Sequence, residues 1–302
     1  MAARKRRLAV AALMTLGTVL ASGTVAAEAS AAPVPAGPKV GTLAVAVAAN
    51  VSSNAAPHVA AKAAPSVAPN AAPNAARSGA PGDPGAFVAP KTTLKLGAKG
   101  SAVKLLQARL RELGYLPGRI DGQYGGATLT AVWAFQKAQG LPVSSRIGAS
   151  VWRALENPRP PRVLVPRGRP YRVEVNLTTQ LMVLYRNNRP QLISHISSGS
   201  GIPYVEWAEW NGRRQRFSGN ARTPTGDYRT TWRRSGWHRS YLGQLYNPIF
   251  FNGGIALHGA LSVPLYPASH GCVRLPMHVA EVLPKMLGTG VPVHVRGAFR
   301  RR

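Results

Sequence analysis

One cysteine stands in 302 residues, and ten acidic side chains face 38 lysines and arginines. With Cys272 alone, an intramolecular disulfide is excluded; an odd cysteine in an exported chain points to intermolecular pairing or a free reactive thiol. The formal net charge is +28. Electrostatics of that size would suit nucleic acid, but no nucleic-acid motif is present and the basic residues are scattered, so no nucleic-acid partner is expected. From Tyr171 to Val295 the only carboxylates are Glu174, Glu206, Glu209, Asp227 and Glu281, none of them adjacent to Cys272 in the chain. Aromatic residues are nearly missing between Ala32 and Pro90, which leaves that stretch without the material for a core.

Arg4-Lys5-Arg6-Arg7 is followed by an apolar run from Leu8 to about Ala27 and then Ala29-Ser30-Ala31. This order is that of a signal peptide over residues 1–31, with an uncleaved signal anchor as the alternative. Either way the remainder is expected to be exported, to the cell wall or an equivalent space. Residues 32–90, with repeats such as Ala-Pro-Asn-Ala-Ala, read as a disordered Ala/Pro-rich linker.

What surrounds Cys272 is specific. His258-Gly259 lies fourteen positions upstream, and the cysteine itself sits in Ser269-His270-Gly271-Cys272-Val273-Arg274. Cysteine attacks carbonyls as its thiolate, and an imidazole can take the proton and return it to a leaving amine. His258 is the candidate base, and a depressed thiol pKa is the expectation for an enzyme. The backbone N–H groups of Gly271 and Cys272 are candidates for an oxyanion hole, and Arg274 offers a fork for a substrate carboxylate. His258, His270 and Cys272 as three zinc ligands is the competing reading; no fourth ligand or CxxC spacing accompanies them, so no metal is expected.

The His258-Gly259 and SHGCVR blocks closely resemble the active-site signature of L,D-transpeptidases with a YkuD-type catalytic domain, and Thr223-Pro224-Thr225-Gly226 resembles another element of it. The resemblance implies a mainly-β, sandwich-like domain, placed at 170–297 before a basic tail, 298–302. It implies Cys272 as nucleophile, His258 as proton donor and acceptor, and the Gly259 carbonyl as the group orienting His258. His270, Arg274, Ser269, Tyr246 and Asn252 would bind substrate, and no cofactor is called for. The implied reaction acylates Cys272 with a peptidoglycan tetrapeptide stem, releases D-alanine and passes the acyl group to an acceptor amine in a 3-3 cross-link. Carbapenem-type inhibitors are expected to acylate the same thiol. With water as acceptor the activity would be that of an L,D-carboxypeptidase; with an inert cysteine the chain would be a non-catalytic wall-binding module. Sortases place the histidine much farther upstream, and papain-like amidases place the cysteine first.

Ahead of this domain, Val103, Leu106, Leu110 and Leu113 fall at helical spacing, with Ser101 expected to cap the start and Gly114 to end the helix in a left-handed conformation. Leu129, Val132 and Phe135, then Val151, Trp152 and Leu155, predict two further helices, the second helix stopping at Gly140. This three-helix unit, 91–157, resembles a peptidoglycan-binding domain through Gly114-Tyr115, Asp121-Gly122, Tyr124-Gly125, Phe135-Gln136 and Trp152, with Tyr124 an expected exposed contact to glycan. A Pro/Arg-rich connector, 158–169, is expected to fix reach more than contact. In the catalytic domain strands are expected at 171–177, 181–185, 192–196 and 291–295, with a turn at Asn187-Asn188 and a helix at 279–287 shortened or kinked by Pro284. The stretch Gly199 to Gly219, with Tyr204, Trp207 and Trp210, is either a flap over the substrate or an insertion packed on the sheet. The basic surplus suits anionic wall polymers.

Overall fold

The computed structural model describes residues 87–299; the signal-peptide reading of 1–31, the linker over 32–86 and residues 300–302 of the basic tail lie outside them. Among the described residues three helices come first: α1 (Ser101–Glu112), α2 (Gly126–Gln139) and α3 (Ala149–Glu156). Val103, Leu106 and Leu110 of α1 bury against Val132 and Phe135 of α2 and Trp152 and Leu155 of α3. Gly114, at φ 85, lets the Tyr115 N–H turn back to the Leu110 carbonyl at 2.9 Å, which closes α1. Ser101 does not cap that helix. The N-cap is Gly100, at φ 118, whose carbonyl already accepts from Val103 and Lys104, so Ser101 falls within the first turn.

Two further expectations change here. Tyr124 is 1% exposed and belongs to the helical core, so it is no surface contact for glycan. Its backbone pairs with Gly97 and Ala98, which turns the ring inward. The ordered unit also starts before Lys91: Phe87 stacks on Trp152, and the Ala89 N–H donates to Glu156 at 3.0 Å.

Eleven strands follow. A five-stranded sheet holds β1 (Arg172–Asn176), β2 (Leu181–Arg186), β3 (Arg189–His195), β6 (Gly226–Arg229) and β11 (Pro292–Arg296), in the order β3-β2-β1-β11-β6. A four-stranded sheet holds β7 (Trp237–Ser240), β8 (Gly243–Asn252), β9 (Ile255–Gly259) and β10 (Val273–Leu275), in the order β10-β9-β8-β7. Between the sheets lies one core, with Val173, Val175, Met182 and Val293 from the first and Ile249, Leu257, Val273 and Leu275 from the second. Helix α4 (Met277–Met286) adds Val279 and Leu283, with Pro284 in its last turn. Asn187 and Asn188, at φ 53 and 57, make the left-handed turn between β2 and β3.

The side chains of β2 alternate between two cores. Met182 and Leu184 face the sandwich, while Leu181, Val183 and Tyr185 join the core of the three helices. The helical unit is therefore packed on the back of the five-stranded sheet. The connector 158–169 makes contacts of its own: Leu164 and Val165 donate backbone N–H groups to Glu174, which is itself paired with the buried Arg172 at 2.7 Å. Reach alone does not describe it.

The stretch after Gly199 is a separate hairpin, β4 (Pro203–Trp210) and β5 (Arg213–Asn220), turning at Asn211-Gly212. Tyr204, Glu206, Ala208 and Trp210 lie on its half-buried face, and Val205 and Trp207 on its exposed one. The hairpin pairs with neither of the larger sheets.

Candidate active site

Strand alternation brings the site together. On β9, Leu257 points into the sandwich core, so Ala256 and His258 face the opposite side; on β10, Val273 and Leu275 point in, so Arg274 faces out. The two strands run parallel with Arg274 opposite His258, and Cys272 comes immediately before β10. Cys272 packs on a small apolar cluster of Leu245, Phe250 and Ala256. Cys272, His258, His270 and Arg274 all line one cavity of about 830 Å³, roofed by Tyr204 and Trp210 of the hairpin and walled on the far side by Trp232, Trp237 and Tyr241.

His258 is held in one tautomer. Its Nδ1 lies 2.9 Å from the Gly259 carbonyl oxygen, which can only accept, so Nδ1 carries the proton and Nε2 keeps its lone pair. Burial pushes the His258 pKa down to about 4; the Gly259 carbonyl opposes the shift and the Arg274 charge adds to it. Gly259 has no room for a side chain: a Cβ there would lie 2.8 Å from Ala280 Cβ and 3.1 Å from Tyr246 Cδ1.

The thiol differs from the expectation of a depressed pKa. Burial pushes the Cys272 pKa up, and the Ala256 backbone and Arg274 only partly offset it. The Sγ–H donates to the Gly254 carbonyl at 3.6 Å. With no carboxylate beside either group, both shifts favour the neutral thiol and the neutral imidazole.

The loop around Cys272 also corrects several residue assignments. The Gly271 N–H donates to Ser269 Oγ at 3.0 Å and is thus not free to serve an oxyanion. Gly271 is required for a different reason: its φ is +143, and a Cβ would meet the Arg222 carbonyl oxygen at 3.0 Å. Ser269 is 4% exposed and lines the same cavity, and its hydroxyl donates to the Cys272 carbonyl, so it braces the loop. Thr223, in the Thr-Pro-Thr-Gly block, was singled out without a role; its Oγ1 accepts from the Gly199 N–H at 2.8 Å and donates to the Gly271 carbonyl at 2.6 Å.

Among the proposed substrate contacts, His270 lies in the cavity, where Nε2 meets Glu206 Oε1 at 2.7 Å and the Tyr204 ring stands edge-on at 4.9 Å. It ties the hairpin down over Cys272. Arg274 lines the cavity and makes no ion pair among the described residues. Tyr246 and Asn252 are not among the residues lining the cavity: Tyr246 packs beside Gly259 and Trp237, and Asn252 pairs with Ile255 at the turn from β8 to β9. The wall aromatics Trp232, Trp237 and Tyr241 went unnoticed in the sequence; their only signal there is their density between 232 and 241.

Comparison with known proteins agrees with this geometry. Residues 170–295 match the L,D-transpeptidase catalytic domain family, YkuD, and residues 99–155 match a peptidoglycan binding domain family. A crystal structure of an L,D-transpeptidase from Xylanimonas cellulosilytica is 37% identical, with a TM-score of 0.59, over 71% of this chain and 100% of that one. A spore cortex-lytic enzyme of Bacillus cereus is 39% identical over 62 residues, which is 20% of this chain and 24% of the enzyme. An uncharacterized protein of Kitasatospora aureofaciens is 34% identical over 73 residues, 24% of this chain and 62% of that protein. The chain thus spans about a quarter of the length of the cortex-lytic relative, and all of the crystallised part, residues 123–326, of the Xylanimonas transpeptidase. It belongs to the L,D-transpeptidase family, with a YkuD-type catalytic domain and a peptidoglycan-binding domain ahead of it.

Proposed function

We propose that the protein is an exported peptidoglycan L,D-transpeptidase using Cys272 as nucleophile and His258 as its base. The observation that carries this reading is the fixed tautomer of His258, which leaves an unprotonated Nε2 in the cavity that holds the thiol. Cys272 Sγ attacks the carbonyl of the third residue of a donor tetrapeptide as its proton passes to His258 Nε2. The oxyanion takes the Cys272 N–H, since that of Gly271 is engaged. Collapse breaks the bond to the terminal D-alanine, whose amine takes the proton from His258 and leaves a thioester. An acceptor side-chain amine then attacks the thioester, its proton goes to His258 and on to the departing sulfur, and a 3-3 cross-link forms. Arg274, which lines the cavity together with Arg222, takes a substrate carboxylate.

The basic surplus and residues 99–155 favour glycan and anionic wall polymers as partners, and the N-terminal basic-then-apolar order favours export. Carbapenem-type inhibitors would acylate the same thiol.

Incubation with a disaccharide tetrapeptide, read by mass spectrometry beside Cys272→Ala, tests this. Expected is a dimer weighing two monomers less one alanine, absent in the variant. Tripeptide alone would make the protein an L,D-carboxypeptidase, and no product from a folded, wall-binding protein would make it a binding module.

A further inference from the structure

The loop that joins the base to the nucleophile, residues 260–272, is held at its middle by a side chain outside the catalytic site. His195, at the end of β3 and 1% exposed, has Nε2 3.0 Å from the Val263 carbonyl oxygen. That oxygen only accepts, so Nε2 carries the proton and Nδ1 must find a donor. The donor is Lys137 of α2, with Nζ 2.8 Å from Nδ1 and 3.1 Å from the Gln180 carbonyl oxygen. Trp133, also on α2, stands edge-on to the imidazole at 5.4 Å. Immediately before Val263, Leu261 and Ser262 line the catalytic cavity; immediately after it, the Tyr266 carbonyl accepts from Ser197 Oγ at 2.7 Å.

A half-buried lysine that hydrogen-bonds only neutral acceptors, the His195 ring and the Gln180 carbonyl, is an expensive way to fill space, since a methionine would pack there without a desolvation cost. Burial pushes the Lys137 pKa down to about 7 and that of His195 to about 3. Perturbed groups of this kind concentrate where function constrains them.

We propose that Lys137 is a positioning residue for the transpeptidation site: through His195 and the Val263 carbonyl, the peptidoglycan-binding domain sets the cavity wall at Leu261 and Ser262 against which the donor stem is held. The catalytic site is therefore complete only with the helical unit docked. This inference rests on the proposed function for its substrate, and on hydrogen-bond geometry alone for the coupling.

The test uses the whole chain and a sugar-free tetrapeptide, so that glycan binding by the helices plays no part. Lys137→Met raises KM about tenfold, because the wall at 261–262 shifts, while the rate at which iodoacetamide alkylates Cys272 stays within about twofold. Lys137→Arg, which keeps a charged donor, recovers most of the loss. His195→Gln repeats the KM effect, and the double variant is no worse than the poorer single one, since the two residues act as a unit. Wild-type KM in a folded Lys137→Met protein overturns the proposal, as do losses that add fully in the double variant. If Lys137→Met fails to fold, Lys137→Gln takes its place, with the same KM rise expected and unchanged KM again overturning it. Inactive wild-type protein would instead overturn the proposed function.

Discussion

His258 depends on one oxygen. The Gly259 carbonyl can accept and cannot donate, so it does for the imidazole what a carboxylate would do in orienting it, without adding the negative charge that would raise its pKa. The result is a base that stays neutral to about pH 4 beside a thiol that stays protonated past its ordinary value. The sign of the pH dependence follows. Activity needs neutral His258, so the acid limb of kcat/KM should fall near pH 4 and not near 6.5. Free of substrate, Cys272 should alkylate ever faster as pH rises beyond 9. A plateau of alkylation near neutrality would mean a resting thiolate and would refute the neutral pair. Thr223 carries the second prediction at this scale. Thr223→Val strands the Gly199 N–H and the Gly271 carbonyl, each costing about 1–3 kcal/mol when buried and unpaired. Cys272 acylation should slow at least about tenfold, as read by intact mass against time, and Thr223→Ser should restore it.

Strand β1 shows how elements hold one another. Its Val173 and Val175 enter the sandwich, while Arg172 and Glu174 face the other way, paired with each other and almost fully buried. Arg172 also donates to the Arg169 carbonyl and to Asn188 Oδ1, and lies 4.2 Å from the centroid of Tyr185. Glu174 receives the connector's two N–H groups, so one carboxylate fastens both the arginine and the chain that leads in from the helices. Removing it leaves a buried cation unpaired. Glu174→Ala should therefore cost about 3–5 kcal/mol in denaturant unfolding, far more than the loss of a surface pair. What was legible in the sequence divides at this scale. Local signals survived: the apolar spacing of α1, the Asn187-Asn188 turn and Gly114 each act within a few residues. The doubly covered β2 was visible as the unbroken run Leu-Met-Val-Leu-Tyr, yet which core received which side chain depends on long-range packing. Tyr124 and Ser101 were misplaced for a related reason, since exposure and capping are settled by neighbours distant in the chain or by one competing glycine.

Across the whole molecule the reactive residues were readable because chemistry demanded rare types at tight spacing. Cys272, His258 and Arg274 come together in one cavity, with Gly259 behind His258. Their supports were not readable, because Ser269 and Thr223 differ from ordinary loop residues only in where the fold takes them. The docking of the helical unit was hidden for the same reason: nothing local in Lys137 or His195 announces a contact 58 residues apart. The formal net charge of +28 belongs to this scale too: it favours anionic partners of any kind and does not choose the bond that is cut.

The account's central claim is that Cys272 is acylated through the third residue of a donor stem. Intact-mass spectrometry of the protein mixed with a tetrapeptide in the absence of an acceptor, followed by peptide mapping, tests it most directly. The predicted result is an adduct on Cys272 heavier than the free thiol by the tetrapeptide less one D-alanine. An adduct that retains the D-alanine, one on another residue, or equal turnover by Cys272→Ala would contradict it.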